Sequence, residues 1–300
     1  NIDLYGNITT TSNGSDTGDI AITGAADLKD NVAIATNGGG VTFSSTIDGD
    51  DNLDISSGSG AVSIGGTIGG TEALDTLDIN NSSGSGTISL KDIGDDNTQG
   101  VTGSSNIGNN TTILLTLGGT TYKTDAVTYK TKAGENIKLT AEADTTFTTS
   151  SDDITFGTGT IKLAAGSDLI INTATNGGSI NLPVGVLGTS SENITLTAGA
   201  GNVAIGAVGN GTQIADVTIT TTGTTTFSGD FTGENLTNSG PVIVSENITL
   251  GTTGAITFGS TLNSSNGSQQ ITFNSPGFDL TINGEIGGSS PFSEFTIADA

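Results

Sequence analysis

The sequence predicts an all-β chain folded as a β-solenoid, a stack of short strands with coils of about 24 residues. Three stretches are versions of one another. Each contains three apolar, polar, apolar triplets, separated first by a shorter interval and then by a longer one, and these intervals recur from copy to copy. A recurrence of this length is the signature of a structural repeat. The triplets of the three copies lie at 53–55, 62–64 and 77–79, at 194–196, 203–205 and 217–219, and at 271–273, 280–282 and 295–297.

Each triplet is predicted to be a strand because side chains alternate between two faces of an extended chain. Two inward apolar residues cannot bury themselves alone. Equivalent triplets of successive coils, stacked about 4.8 Å apart, give each residue neighbours above and below and form a continuous core. In the first copy we expect burial of Leu53, Ile55, Val62, Ile64, Leu77 and Ile79, with Asp54, Ser63 and Asp78 facing outwards.

Helices are not expected. No stretch carries an apolar stripe at helical spacing for more than about two turns. Glycine occurs 47 times, and Thr, Val and Ile dominate the periodic positions, a composition that disfavours helix and favours strand. No apolar run is long enough for a membrane-spanning helix, which needs about 18 residues or more.

Further triplets surround the first copy and resume after residue 154, separated by corners rich in Gly and Ser. Glycine supplies the positive φ that tight corners require. Between 92 and 145 the rhythm loosens, and the run 113–117 leads into Gly118 and Gly119, which predicts a two-stranded hairpin leaving the coil. We therefore expect β-solenoid repeats at 1–91, an irregular coil or hairpin insertion at 92–145, and β-solenoid repeats at 146–300.

The charge balance limits the partners. The chain has 7 lysines, no arginine or histidine, and 31 acidic residues, for a formal net charge of −24. Such a charge repels nucleic acid and anionic membranes, so we expect neither as a partner. Cysteine is absent, so cohesion must come from backbone hydrogen bonds and the apolar interior rather than from disulfides.

Catalysis is not expected. β-Helical enzymes that cleave polysaccharides handle charged substrates with Arg, Lys or His beside carboxylates, and two of these three residue types are missing. The paired acids at 50–51, 95–96 and 152–153 could serve as acid and base, but each lies in a polar corner without apolar neighbours to raise a pKa. We predict solvated acidic turns and no catalytic residue.

Calcium binding is a better explanation of these acidic corners than catalysis, because hard cations prefer several carboxylate and carbonyl oxygens within a few residues. The candidate ligands carry neither the spacing of an EF-hand loop nor the glycine-rich nonapeptide of calcium-binding β-rolls. The alternative is a diffuse acidic surface; no other cofactor is expected. The candidate calcium ligands are Asp48, Asp50, Asp51, Asp95 and Asp96.

Positive charge is concentrated in one short segment, together with two tyrosines. This segment could dock on the acidic flank of a neighbouring molecule, or its lysines could protect an exposed sheet edge against aggregation. The candidate interaction residues are Lys123, Lys130, Lys132, Lys138, Tyr122 and Tyr129.

Threonine runs at 9–11, 220–222 and 224–226 resemble the flat threonine arrays of ice-binding solenoids. Such arrays need the same outward residues on many consecutive coils. Here the outward residues vary, so the sequence predicts no regular threonine array.

The segments 41–49, 52–55 and 61–70, with their alternation of strand triplets and Gly corners, resemble the repeat regions of filamentous-haemagglutinin-like bacterial surface proteins with β-strand repeats. The resemblance covers most of the chain outside 92–145. It implies a right-handed parallel β-helix within a very long secreted or cell-surface protein, with roles in adhesion or biofilm formation.

We therefore expect a structural and adhesive segment of a large extracellular bacterial surface protein, without enzymatic activity. The alternative is a self-assembling surface-layer or extracellular filament subunit with calcium-dependent contacts. Expected partners are further repeats, through self-association or stacking, and a cell-surface or glycan ligand. Because the sequence shows no initiator Met, signal peptide or polar cap, we expect an excerpt of a longer chain or a processed product.

Overall fold

The computed structural model describes residues 1–11, 18–150, 152–175, 177–189, 191–275, 277 and 279–298. These residues are all-β, and their parallel strands stack in about 12 coils of about 23 residues, a β-solenoid as predicted. The described residues contain no helix with the length and hydropathy needed to cross a bilayer. The chain divides into two compact units: 1–141 with 145–149 and 155–160, and 142–144 with 150–154 and 161–300.

Short strands make up the first half of the chain. They are β1 (Ile2–Leu4), β2 (Ile8–Thr9), β3 (Ile20–Ile22), β4 (Ala26–Leu28), β5 (Val32–Ala35), β6 (Val41–Phe43), β7 (Ile47–Asp48), β8 (Leu53–Ser56), β9 (Val62–Ile64), β10 (Leu77–Ile79), β11 (Thr87–Leu90), β12 (Ser105–Ile107), β13 (Leu114–Leu117), β14 (Thr121–Thr124), β15 (Val127–Lys130), β16 (Asn136–Leu139), β17 (Thr145–Thr149) and β18 (Ile154–Thr158).

The second half contains a similar series, with some longer strands. They are β19 (Thr160–Lys162), β20 (Leu169–Asn172), β21 (Ile180–Leu182), β22 (Val186–Leu187), β23 (Ile194–Gly199), β24 (Val203–Ile205), β25 (Ile214–Thr221), β26 (Thr225–Phe227), β27 (Phe231–Asn238), β28 (Val242–Val244), β29 (Ile248–Thr252), β30 (Ile256–Phe258), β31 (Leu262–Ser264), β32 (Gln270–Asn274), β33 (Leu280–Ile282) and β34 (Glu294–Ala298).

In the first unit the coil has three faces. One face is formed by β2, β5, β8, β10, β12 and β15, and a second by β3, β6, β9, β11, β13 and β16. The third begins with β1, β4 and β7 and continues through single parallel bridges that join Ile47, Ile68, Ile93 and Tyr122. Successive strands of the chain therefore visit the faces in turn, and each pairs with its equivalent one coil away.

The second unit repeats this arrangement with longer strands. One face contains β21, β24, β26, β28 and β31, and another begins with β20, β23, β25 and β27. At β27 the second face divides, because Phe231 pairs with Leu250 of β29 while Leu236 pairs with Ile256 of β30. Val208 forms one parallel bridge to Val186 and another to Phe231, and these bridges continue the remaining face.

The predicted repeat corresponds to one full coil. In the first copy Leu77 pairs in register with Leu53, in the second Val217 pairs with Ile194, and in the third Phe295 pairs with Ile271. The first and third triplets of each copy thus lie directly above one another. The middle triplet lies on the next strand along the coil.

The burial pattern confirms the predicted inward residues of the first copy. Their exposed fractions are all between 0% and 1%, whereas Asp54 is exposed and Ser63 and Asp78 are half-buried. The third copy is less covered, and Ile297 is 62% exposed. In the described part of the chain, β34 has a strand partner on one side only, which is β32.

The hairpin predicted within 92–145 is wrong. β13 pairs in parallel with β11 and β16, β14 with β17, and β15 with β12. The segment around Gly118 and Gly119 is a corner between two faces and not a hairpin turn. A Cβ on Gly119 would lie 2.5 Å from the backbone N of Asp92, and the N–H of Gly119 donates to the buried Tyr122 hydroxyl at 2.9 Å.

A glycine in the left-handed region follows several of the single bridges. Ile68 is followed by Gly69 (φ 64°) and Val208 by Gly209 (φ 70°). At each site a Cβ would meet a carbonyl oxygen of the neighbouring coil at 2.0 Å. Both the positive φ and the close approach require glycine there.

The register predicts the effect of a charge on each face of β9. Ile64→Asp places an unpaired carboxylate in the core and should lower the free energy of unfolding by at least about 3 kcal/mol. Ser63→Asp, one residue away on the outer face, should change it by no more than about 0.5 kcal/mol. Urea denaturation followed by circular dichroism measures both, and equal losses for the two variants would contradict the assigned register.

Candidate functional site

Two of the five candidate calcium ligands use a side-chain oxygen to hold a corner of the solenoid. Oδ1 of Asp48 accepts the N–H of Thr71 at 2.7 Å. Oδ1 of Asp95 accepts the N–H groups of Asn97 at 2.7 Å and Thr98 at 2.6 Å, and these bonds hold the pKa of Asp95 below its ordinary value. Each carboxylate therefore stabilises a turn or the adjacent coil.

The other three candidates are less engaged. Asp50 and Asp96 are exposed and Asp51 is half-buried. Partial desolvation, followed by the neighbouring charges of Asp50, Asp30 and Asp75, raises the pKa of Asp51. Among the described residues no three His, Cys, Asp or Glu side chains are arranged to hold a metal ion. Calcium binding at these corners stays a prediction.

The corner residues reveal a ladder that the sequence analysis missed. In the second unit, Asp and Asn side chains at equivalent positions accept hydrogen bonds from the next coil, so that each step ties two coils together. The steps run from Asp168 N to Asp144 Oδ1 (3.0 Å), Asn193 N to Asp168 Oδ1 (2.8 Å), Asp216 N to Asn193 Oδ1 (3.1 Å), Asn235 Nδ2 to Asp216 Oδ1 (2.8 Å) and Ala255 N to Asn235 Oδ1 (2.8 Å). We call these residues the Asx ladder.

Equivalent bonds occur in the first unit. Asn31 Oδ1 accepts the N–H and the side-chain amide of Asn52 at 3.1 and 2.7 Å. Asp92 Oδ1 accepts the N–H groups of Thr120 and Thr121 at 2.7 and 2.9 Å. Many of the corner acids and amides thus satisfy backbone donors of the next coil, which is a structural role.

The two tyrosines of the predicted interaction patch are in the core, contrary to expectation. Tyr122 and Tyr129 are both 0% exposed, and burial raises the pKa of each phenol. Their rings stack with phenylalanines, Tyr122 on Phe147 at 4.8 Å between centroids and Tyr129 on Phe156 at 5.1 Å. Neither tyrosine can contact a partner in the folded unit.

The four lysines do not share one surface. Lys123 lies on β14, Lys130 on β15 and Lys138 on β16, and these three strands belong to three different sheets. Lys132 follows β15 and is exposed. Because the side chains leave the coil on different faces, they do not form the single basic patch that the sequence suggested. Lys130 alone lines a large groove, whose wall is formed by the corner loops 80–86 and 108–112.

A regular threonine column, which the sequence analysis did not predict, runs along the outer face of the second unit. In register, Thr195 pairs with Thr218, Thr218 with Thr237, Thr237 with Thr257, and Thr257 with Thr281. All five are exposed or half-buried. Four of the five threonines, all but Thr237, are the centres of apolar triplets, so their outward direction could be predicted. Their alignment in one column could not.

Comparisons of the chain with protein families, with curated proteins and with solved structures found no match. The fold and the contacts described above are therefore the grounds for a functional proposal.

The Asx ladder predicts a stability cost at Asn193. Asn193→Ala removes the side-chain bond to Asp168 Oδ2 at 2.9 Å and leaves the N–H of Asp216 without its acceptor. The expected loss in the free energy of unfolding is about 1–3 kcal/mol. Thr195→Ala, slightly further along the chain on β23, is the matched control and should cost less than about 1 kcal/mol. Denaturant melts compare the two, and a cost at Asn193 no larger than at Thr195 would argue against the ladder.

Proposed function

We propose that the chain is a structural and adhesive repeat segment of a large extracellular bacterial surface protein, and that it is not an enzyme. The observation that carries the proposal is the coil-to-coil hydrogen bonding at the corners, where the Asx ladder extends the parallel backbone pairing to the polar surface. A protein held together in this way presents an extended series of outward side chains on a fixed frame.

The disposition of the acids supports a non-catalytic role. Asp48, Asp92 and Asp95 all accept backbone N–H bonds. At Asp95 these bonds also hold the pKa of the carboxyl below its ordinary value, which makes it a poor general acid near neutral pH. The chain has no histidine to complement them.

Surface exposure on cells tests the proposed location. Intact cells of the organism that encodes the chain are treated with a protease that cannot enter them, and the chain is then followed by immunoblotting. The proposal expects loss of the chain while a cytosolic marker persists. Protection of the chain in intact cells, with cleavage only after lysis, would overturn the extracellular role.

The second candidate is a calcium-dependent surface-layer or filament subunit. It is favoured by one observation, a surface depression in the first unit lined by Asp92, Asp95 and Asp96 together with Thr120. Calcium would have to draw these three carboxylates into a site that their present arrangement does not form. Sedimentation velocity with excess calcium and then with a chelator separates the two. An unchanged sedimentation coefficient supports the adhesive segment, whereas a calcium-dependent increase in mass that the chelator reverses supports the subunit.

A further inference from the structure

A polar groove lies on the first unit between two corner loops of successive coils, 80–86 and 108–112. Its volume is about 670 Å³, and its wall carries hydroxyl and amide side chains and one cation, Lys130. The sequence gives no hint of this groove, because its two walls are separated along the chain by a whole coil and meet only when the coils stack.

The first wall is held by a strained and fully buried asparagine. Asn80 has a φ of 51°, the one positive φ of a non-glycine residue among the described residues. Its Oδ1 accepts the N–H of Ser57 at 2.8 Å, and its Nδ2 donates to Ser57 Oγ at 3.0 Å. Such strain persists only where the surroundings fix it, and it is enriched at functional sites.

The two walls are tied directly to each other. Asn109 Nδ2 donates to the carbonyl oxygens of Asn80 and of Gly84, the latter at 3.1 Å. Thr111 Oγ1 donates to Gly84 O at 2.8 Å, and Asn109 Oδ1 accepts the N–H of Thr111 at 2.6 Å. The groove is thus preorganised, so a ligand would not bear the cost of ordering these loops.

The neighbouring coil positions Lys130. A Cβ on Gly157 would lie 2.7 Å from Lys130 Cε and 3.0 Å from Cγ, so the absence of a side chain at 157 leaves room for the lysine stem. The Lys130 side chain lines the groove. It forms no ion pair with any described residue; the ion pair that the described residues do form, between Lys29 and Asp27, lies outside the groove. An unpaired ammonium group in a preformed polar groove favours an anionic group on the ligand.

The rest of the lining favours a ligand rich in hydroxyl groups. Within the described part of the chain, the hydroxyls of Ser83 and Ser85 and the amide nitrogen of Asn110 make no hydrogen bond. The nearby carboxylate of Asp78 is already engaged, since Asn106 donates to its Oδ1 through both its N–H and its Nδ2 at 3.0 Å. The free hydroxyls can both donate to and accept from sugar hydroxyls, and the free amide nitrogen can donate to them.

We infer that this groove binds a saccharide bearing a carboxylate, with Lys130 pairing the carboxylate and Ser83, Ser85 and Asn110 contacting the sugar hydroxyls. The inference rests on the proposed adhesive function and supplies the ligand class for it. Because the net charge of −24 repels anions at long range, binding must depend on these direct contacts. The contact with Lys130 should therefore make the groove bind a charged saccharide more tightly than the neutral form of the same saccharide.

Calorimetric titration of the full chain with trigalacturonate and with its methyl ester tests the assignment. The charged sugar should bind at least roughly tenfold more tightly than the ester, as expected for one charge-assisted contact. Lys130→Gln should remove that preference. Lys132→Gln, an exposed lysine close by in the chain, makes the same change of charge outside the groove and should keep it.

A second pair of variants tests the location without altering charge. Ser83→Trp should block the groove and abolish binding of the acid, while Ser44→Trp on an exposed site elsewhere on the unit should leave it unchanged. Absence of binding by the unaltered chain, equal binding of acid and ester, or equal effects of Lys130→Gln and Lys132→Gln would each overturn the inference. None of these outcomes bears on the cell-surface test, so the two proposals can fail separately.

Discussion

Parallel register between successive coils is the constraint on which the rest of this structure depends. A strand inside the stack satisfies its backbone donors and acceptors with the coils on either side, so the equivalent residues of neighbouring coils are forced into columns. The column Val32, Leu53, Leu77 is apolar throughout. The next member is Ser105, whose buried hydroxyl has no hydrogen-bond partner among the residues that the structure describes. The backbone ladder therefore outweighs the side-chain preference at that position.

The same constraint explains the composition of the corners. Where the chain turns between faces, backbone N–H groups lose their strand partners, and an Asp or Asn of the adjacent coil supplies an acceptor. This makes much of the acidic content structural. It also has a cost, since carboxylates in register repel one another: Asp54 pairs with Asp78, and desolvation followed by the charge of Asp78 raises the pKa of Asp54. From Asp168 onwards the Asx ladder alternates Asp with Asn, and this alternation limits the repulsion.

The sequence was sufficient to predict strands wherever apolar residues alternate with polar ones. The inward residues of the first copy follow from that period alone. Prediction failed at 92–145 because polar residues also occupy inward positions there. Thr124 on β14 and Thr131, just after β15, are buried, as are Tyr122 and Tyr129. The lysine that follows each tyrosine was the available signal that the tyrosines are buried, because adjacent residues of a strand face opposite ways.

Features formed between coils could not be predicted, because the coils differ in length. The step of the threonine column from Thr195 to Thr218 is longer than the next step, from Thr218 to Thr237, so no fixed period in the sequence reveals it.

Unequal corners also explain why the groove lies where it does. Its two loops are adjacent only because 77–79 stacks beneath 105–107, although a whole coil separates these strands along the chain. The corner from Ile55 to Val62 is shorter than the corner from Ile79 to Ile88, and both turn the chain between the same two faces. The stacked triplets cannot absorb the extra residues without losing register, so these residues must project outwards. Asn80 fixes the projecting loop through its bonds to the coils on either side. In a solenoid, a site can therefore arise by lengthening a single corner while the core columns remain unchanged, which is how a repetitive scaffold acquires a local and specific surface.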